Sequence, residues 1–446
     1  MQPNSTNNTD LSFSSLSLNE HLLAALDKLG FDQPTPVQLQ TIPPALAHQD
    51  LLVSAETGSG KTAAFLLPAL HHLLTIPATH AGTRALVLAP TRELARQIFQ
   101  QCRQLCEFSD LQAGLVTGGD DFRQQQKTIR NNPDIVIATP GRLLELLEQE
   151  VSNLDELEIL ILDEADRMLD MGFSEEVLAI VEHCNSQRQT LLLSATLVHQ
   201  GIKKMSDRVL TKPEVIALNS RHDEHSHIEQ QIVLADDHEH KQKLLAWLLL
   251  NETYDKALVF TNTKIQADSL RGPLRGQKLR VGVLHGDMDQ KERNRVMALY
   301  GQGEINILIA TDVAARGLDV KGINLVINFD MPRTGIDYIH RIGRTGRADA
   351  RGLAIALVKS TEWNLMAGIE RFLKQKFKRR TIKEMEGKYK GPKKLKASGK
   401  AAGSKNRKEA KKEAVKKTKM RHRDKKNIGK RRVPSNKPAT GQAGSE

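Results

Sequence analysis

The sequence predicts an α/β protein of two tandem parallel-sheet domains, followed by a basic, disordered C-terminal tail. Three observations lead there. Up to Arg380, short apolar runs alternate with helical patterns, as expected for sheets covered by helices. The chain has 446 residues, too many for one ordinary core. The charge is uneven: from Thr381 onward there are 23 Lys and Arg against 6 Asp and Glu, so this segment carries +17 of a net +12 and the rest is −5.

The elements follow in order. Residues 1–12 hold no basic start and no apolar core of a signal peptide, and no run in the chain is long enough to span a bilayer. Cys102, Cys106 and Cys184 are too few and too scattered for a disulfide framework, which implies a reducing, cytoplasmic setting. The first two sit four apart in a helical run and read as packing. Residues 13–210 form the first domain, with strand candidates DLLVSA, RALVLAP, DIVIATP, LEILILDEAD and QTLLLSAT. Residues 211–227 read as a linker. Its His222, His225 and His227 suit a solvated segment better than a metal site, since no Cys and no regular element supports them. Residues 228–380 form the second domain, with candidates KALVFTNT, RVGVLHGD, INILIATD, NLVINFD and LAIALV. Nearly every run ends in a polar or Gly-containing cluster, and ligands of open parallel sheets bind outside the carboxyl ends of the strands. The tail, 381–446, has the composition of a disordered chain. In a body this acidic it reads as an arm that displaces counterions from nucleic acid.

The first polar ending carries the most specific chemistry. LLVSAETGSGKTAAFLLPAL is strand, glycine loop, helix. Ala55, Gly60, Lys61 and Thr62 fit the phosphate-loop pattern, with Ala in the first Gly position. Gly58 and Gly60 let backbone N–H groups close around phosphate oxygens, and the helix start adds partial positive charge. Lys61 can reach the β- and γ-phosphates, and Thr62 can ligate Mg2+. The acids of LEILILDEAD then make sense. A buried carboxylate is costly unless paired or metal-bound. Asp163, directly after the apolar run, suits the metal, and Glu164 suits accepting a proton from an attacking water.

At this point the sequence resembles the DEAD-box family of ATP-dependent RNA helicases from Phe13 to Val358. GFDQPTPVQ (30–38) is similar to the family's adenine-reading motif, which puts Gln38 on the adenine edge and an upstream aromatic, here Phe13, on the base. AETGSGKT, with Ala55, Glu56, Thr57, Gly58, Ser59, Gly60, Lys61 and Thr62, matches its nucleotide loop. PTRELA (Pro90, Thr91, Arg92), the pair Gly118 and Gly119, and TPGR (Thr139, Pro140, Gly141, Arg142) match its RNA-contacting motifs. Ser194 and Thr196, with Ala195 between them, match the motif that couples hydrolysis to unwinding. VFTNT, ATDVAARGLD with Asp312, and HRIGRTGR with His340, Arg344 and Arg347 match its later motifs. Leu318 stands where the family often has Ile.

The resemblance implies two tandem RecA-like domains, ATP and Mg2+ as cofactors, and RNA as partner. It makes Lys61, Glu164, Arg344 and Arg347 catalytic, Thr62 and Asp163 metal-binding, Asp312 nucleotide-binding, and Asp166 and His340 part of the coupling. The second domain has no phosphate loop but can lend arginines to a developing γ-phosphoryl charge. Aromatic residues are only 4% of the chain, poor equipment for stacking bases. The RNA motifs therefore suit phosphates and 2′-hydroxyls, with little sequence preference and no DNA expected. RHRDKKNIGKRR (421–432), DEADRMLDMGF and NFDMPR resemble one bacterial branch of the family associated with early assembly of the large ribosomal subunit. That branch points to ribosomal RNA and ribonucleoprotein partners. The competing readings are a translocating nucleic-acid helicase of the same superfamily, which the adenine motif and DEAD disfavour, and an RNA chaperone acting through its tail, which the intact catalytic set disfavours.

Overall fold

The computed structural model describes residues 12–55, 59–78, 82–195, 197, 200–218, 227–315, 320, 322–346 and 351–401. The first sheet contains β1 (Leu51–Ser54), β2 (Ala85–Leu88), β3 (Ala113–Val116), β4 (Ile135–Ala138), β5 (Ile159–Leu162), β6 (Gln189–Ser194) and β7 (Glu214–Ala217). The second contains β8 (Ile228–Ala235), β9 (Lys256–Thr261), β10 (Val281–Leu284), β11 (Ile307–Thr311), β12 (Ile323–Asn328), β13 (Gly352–Lys359) and β14 (Lys378–Arg380). The orders are β3-β4-β2-β5-β6-β1-β7 and β10-β11-β9-β12-β13-β8-β14, one permutation used twice. All pairings are parallel. Two RecA-like lobes result.

The apolar runs become strands because a parallel sheet is covered on both faces. Along β5, Ile159 and Ile161 enter the core on one face, and Leu160 and Leu162 the core on the other. All ten strand candidates form. Four strands have no such run in the sequence: β3 (AGLV), β7 (EVIA), β8 (IEQQIVLA) and β14 (KRR).

Two expected boundaries move. The span 211–227 is not all linker, because β7 pairs with β1 from Leu51↔Glu214 to Ser54↔Ala217. The Asp50 carboxylate anchors it, accepting Thr190 N at 2.7 Å and Thr211 N at 2.6 Å. Likewise the basic tail does not start at 381. Ile382 is buried, Asp236 accepts the N–H groups of Lys388 (2.8 Å) and Tyr389 (2.6 Å), and His240 Nε2 meets Met385 O at 2.9 Å. One apolar anchor and one carboxylate dock 381–391 on the second lobe, which a composition count does not register. The stretch 402–446 of the expected disordered tail, the residues 1–11, and His222 and His225 lie outside the described residues.

The second lobe fills its own version of the phosphate site. β8 stands where β1 stands in the first sheet. In the helix after it, His238–Asn251, Lys241 is fully buried. Its ammonium lies 2.6 Å from Glu362, 3.9 Å from Asp330 and donates to Phe329 O at 2.6 Å. Among the described residues no helix is long and apolar enough to cross a membrane, and the three cysteines are free and buried.

Candidate functional site

The strand order divides the carboxyl rim of the first sheet into two halves. β1, β5 and β6 are neighbours on one side, and β2, β4 and β3 on the other. The phosphate loop, DEAD and SAT segments leave the first three. PTRELA, the Gly pair and TPGR leave the second three.

On the first half, Ala55 follows β1 and donates its N–H to Ser194 O at 3.3 Å. Gly60 starts the helix Lys61–Thr75 with φ +94°, a conformation that L side chains resist. A Cβ there would also sit 2.7 Å from Gln38 Nε2 and 2.9 Å from Thr35 Oγ1. Gln38 is buried; its amide donates to Gly60 O at 3.1 Å and accepts Thr35 N at 2.8 Å. The expected adenine reader is thus fastened to the phosphate loop. Phe13 is also buried, its ring edge-on to Phe31 at 6.4 Å. Phe31, half buried, is the more open ring of the two, and the sequence reading did not single it out. Ser59 and Thr62 stand at the helix start. Glu56, Thr57, Gly58, Thr196 and Arg347 lie outside the described residues.

Three acids converge after β5. Lys61, itself buried, donates to Ala55 O at 2.5 Å. Burial is the main force on Asp163 and raises its pKa to about 7, against the pull of Lys61 and with the repulsion of Glu164 and Asp166. Glu164 begins the helix Ala165–Asp170 at φ +49°, ψ +49°. A non-glycine residue in this region is strained, and such strain clusters at functional sites. Asp166 is buried; burial raises its pKa most, while Arg167, Lys61 and the Ala195 N–H oppose the rise. His340 Nε2 of the second lobe lies 3.7 Å from its carboxylate. Arg167 reaches Asp337 across the same boundary at 3.6 Å.

The second lobe presents Arg344, 95% buried and donating to His340 O at 3.3 Å. Arg344, His340, Asp312 and Arg167 of the first lobe line one narrow cleft. Asp312 is held by a residue the sequence reading missed. Arg341, 1% exposed, grips both Asp312 carboxylate oxygens at 2.6 and 2.8 Å. It also bonds Asn328 Oδ1 (3.1 Å), Asp330 O (2.6 Å) and Asn262 Oδ1 (2.7 Å). The signal was a third arginine in HRIGRTGR, beside Arg344 and Arg347: a guanidinium has five N–H donors, and burying it requires partners for them.

On the other half, Pro90 is buried and Thr91 caps the helix Arg92–Leu105, accepting Leu94 N at 3.2 Å. The Arg92 guanidinium lies over the Gly pair, so close that a Cβ on Gly119 would meet Nη1 at 2.1 Å, with Gly118 also against it. Thr139 Oγ1 accepts Gly118 N at 3.3 Å. Pro140, Gly141 and Arg142 open the helix Pro140–Glu148. Arg142 donates to Asp120 O (3.2 Å) and Gln125 Oε1 (3.1 Å), pairs with Glu145 at 3.0 Å and covers the Phe122 ring. Its guanidinium braces the loop after β3. This half also touches the second lobe: Arg92 Nη1 donates to Gln290 Oε1 at 3.3 Å, and Arg293 pairs with Glu93 while donating to Ala314 O at 2.7 Å.

Comparison with known proteins agrees with this geometry. Residues 35–205 match the DEAD/DEAH box helicase family and residues 240–349 the helicase conserved C-terminal domain. The chain is 42% identical to ATP-dependent RNA helicase SrmB of Escherichia coli (strain K12), over 96% of this chain and 97% of that protein. It is 41% identical to SrmB of Haemophilus influenzae, over 95% and 98%. Among solved structures, S. cerevisiae Dbp5 bound to RNA and ADP BeF3 superposes with a TM-score of 0.75 at 29% identity, covering 83% of this chain and 95% of that one. The chain belongs to the DEAD-box family and is an ATP-hydrolysing RNA helicase that is similar to SrmB.

Proposed function

We propose that closure of the two lobes couples ATP hydrolysis to local separation of short RNA duplexes, with pre-ribosomal RNA of the large subunit as the substrate. The observation that carries this reading is that both halves of the first-lobe rim are tied to the same second lobe. Asp166–His340 and Arg167–Asp337 hold the nucleotide half, and Glu93–Arg293 holds the RNA half. Each ligand then favours the same closed arrangement, and each strengthens the other's binding.

In this reading Lys61 and the loop 55–62 bind the triphosphate, and Phe31, backed by Phe13, packs on the base that Gln38 reads. Asp163 and Thr62 hold Mg2+. A buried carboxylate with its pKa pushed up to about 7 by burial, against the pull of Lys61, together with a hydroxyl from the residue after Lys61 at that helix start, is a donor set suited to a hard cation. The ion would neutralise phosphate charge. Glu164 orients water and takes its proton. Arg344 and Arg347 stabilise the charge developing on the γ-phosphoryl group, and Arg341 fixes Asp312 beside them. Ser194, Thr196, Asp166 and His340 link this chemistry to closure. Thr91, Arg92, Gly118, Gly119, Thr139 and Gly141 face the RNA backbone, with Arg142 as their brace. The basic tail supplies further affinity for ribosomal RNA or its proteins, and the reduced, buried cysteines suit a cytoplasmic location.

The test measures ATP turnover with single-stranded RNA and with DNA of the same sequence, and strand separation on short and long duplexes. RNA-specific stimulation, with unwinding that fails on long duplexes, is expected. Equal stimulation by DNA, or length-independent unwinding, would overturn the reading in favour of a translocating motor.

A further inference from the structure

The far edge of the second sheet carries a cationic surface that the ATP and RNA motifs do not use. β14 is the last strand in the order, opposite β10; the first lobe meets the second through Gln290 and Arg293, between β10 and β11, and through Asp337 and His340, in the helix after β12, none of them on β14. Residues 374–391 hold eight Lys and Arg against two Glu, a local net of +6. Along β14 the charges alternate in their commitments. Lys378 pairs with Glu229 at 2.8 Å, and Arg380 pairs with Glu252 and donates to Gln231 Oε1 at 3.2 Å. Arg379, exposed, pairs with no carboxylate among the described residues. It lies over the buried Trp363 indole, 5.1 Å from the ring centre.

Beside Arg379 the docked segment 381–391 borders an open cleft of about 150 Å3, with an apolar floor of Val233, Leu234, Ile382 and Met385 and a rim of Arg379, Arg380, Tyr389, Lys390 and Glu386. It has room for several waters or for a small anion such as a phosphate group. Glu386 is the acid in the lining, and Lys390 neutralises it at 2.7 Å. The cleft is preorganised, because Asp236 and His240 fasten its outer wall. A free guanidinium over an indole, a half-buried tyrosine and a positive phosphate-sized cleft are the parts that bind single-stranded nucleic acid: cations follow the backbone while planar groups stack on bases.

We propose that β14 and the segment 381–391 form a second RNA-binding site, distinct from the first-lobe rim. It takes a single-stranded backbone with a phosphate in the cleft and a base on the outer face of Arg379. Trp363 backs that guanidinium. The site sits at the opposite edge of the second sheet from the Gln290 and Arg293 contacts of the RNA half, so it engages RNA that flanks the duplex being opened. The chain leaves it toward 392–446, where 20 of the Lys and Arg residues follow.

The experiment uses the full chain, with Arg379→Gln and Lys390→Gln made singly and together. Affinity for a fluorescent single-stranded RNA is titrated without nucleotide at several salt concentrations. A 4-thiouridine RNA is crosslinked and the attached peptides are mapped. The expected result is a loss of about threefold to tenfold in affinity and a salt slope shallower by about 0.7 for each lost phosphate contact on a single strand. Crosslinks to the Tyr389 peptide should disappear, and the maximal ATPase rate at saturating RNA should stay unchanged. Lys390 is exposed and touches no core, so its variant keeps the test decisive if Arg379→Gln lowers stability. Parental affinity and salt slope in both variants would overturn the proposal, also if binding of a protein partner were lost instead. Failure of the closure reading looks different: the unaltered protein would show no RNA-stimulated turnover.

Discussion

Removing the Arg341 guanidinium tests the second-lobe side of the site most directly. Arg341→Ala leaves the Asp312 carboxylate without its two charge-assisted bonds and strands Asn328 Oδ1, Asp330 O and Asn262 Oδ1. Breaking a buried ion pair from one side costs about 3–5 kcal/mol, because the abandoned charge stays desolvated. Asp312 is partly exposed, so water repays some of this and the lower figure, about 3 kcal/mol, is expected. For a lobe of this size that is a fall of roughly 6–12 °C in melting temperature. The two tryptophans, Trp247 and Trp363, both lie in the second lobe, so intrinsic fluorescence follows that lobe alone. Arg341→Lys keeps the charge but loses the planar fork, and should recover less than half of the loss. A tryptophan-detected transition within about 2 °C of the parent in Arg341→Ala would refute the assignment of Arg341 as the residue that fixes Asp312.

Two other outcomes follow from the first lobe. Glu164→Gln should retain ATP binding, read by equilibrium titration, while slowing RNA-stimulated hydrolysis by about 10²–10⁴, the usual range for a general base; turnover within a few fold of the parent would remove Glu164 from that role. Asp163, with its pKa raised to about 7, gives a pH signature in chelator. Between the ordinary carboxylate range and about 7 the native state holds a proton that the unfolded state has lost, so stability falls as pH rises through that window and levels off above it. Asp163→Asn should flatten this slope and melt higher than the parent at pH 8 in chelator, as thermal scans across pH will show.

Much of this was legible in the residues, and the reasons are local. β1, β2, β4, β5 and β6 declare themselves because burial on both faces demands unbroken Val, Ile and Leu. The phosphate loop and DEAD declare themselves because their chemistry needs contiguous residues at fixed spacing. β14 falls inside the expected second domain but is not recognisable as a strand, since Lys378, Arg379 and Arg380 take their strand character from pairing with β8. β7 hides because only one of its four residues is buried. At the site, the missed features depend on distant partners. Arg293 finds Glu93 200 residues away, and Arg341 is one arginine among several until its five bonds are seen. Phe13 and Phe31 trade prominence for the same reason: which ring faces outward is decided by packing.

The doubled strand order has one further consequence. A scaffold present twice would be expected to take two triphosphates, yet in the later copy the buried Lys241 ammonium is already held by Glu362 and Asp330. The counter-charge for that lysine comes from within the fold and needs no ligand. The expected stoichiometry is therefore one nucleotide per chain, a number that equilibrium titration of the full chain will count.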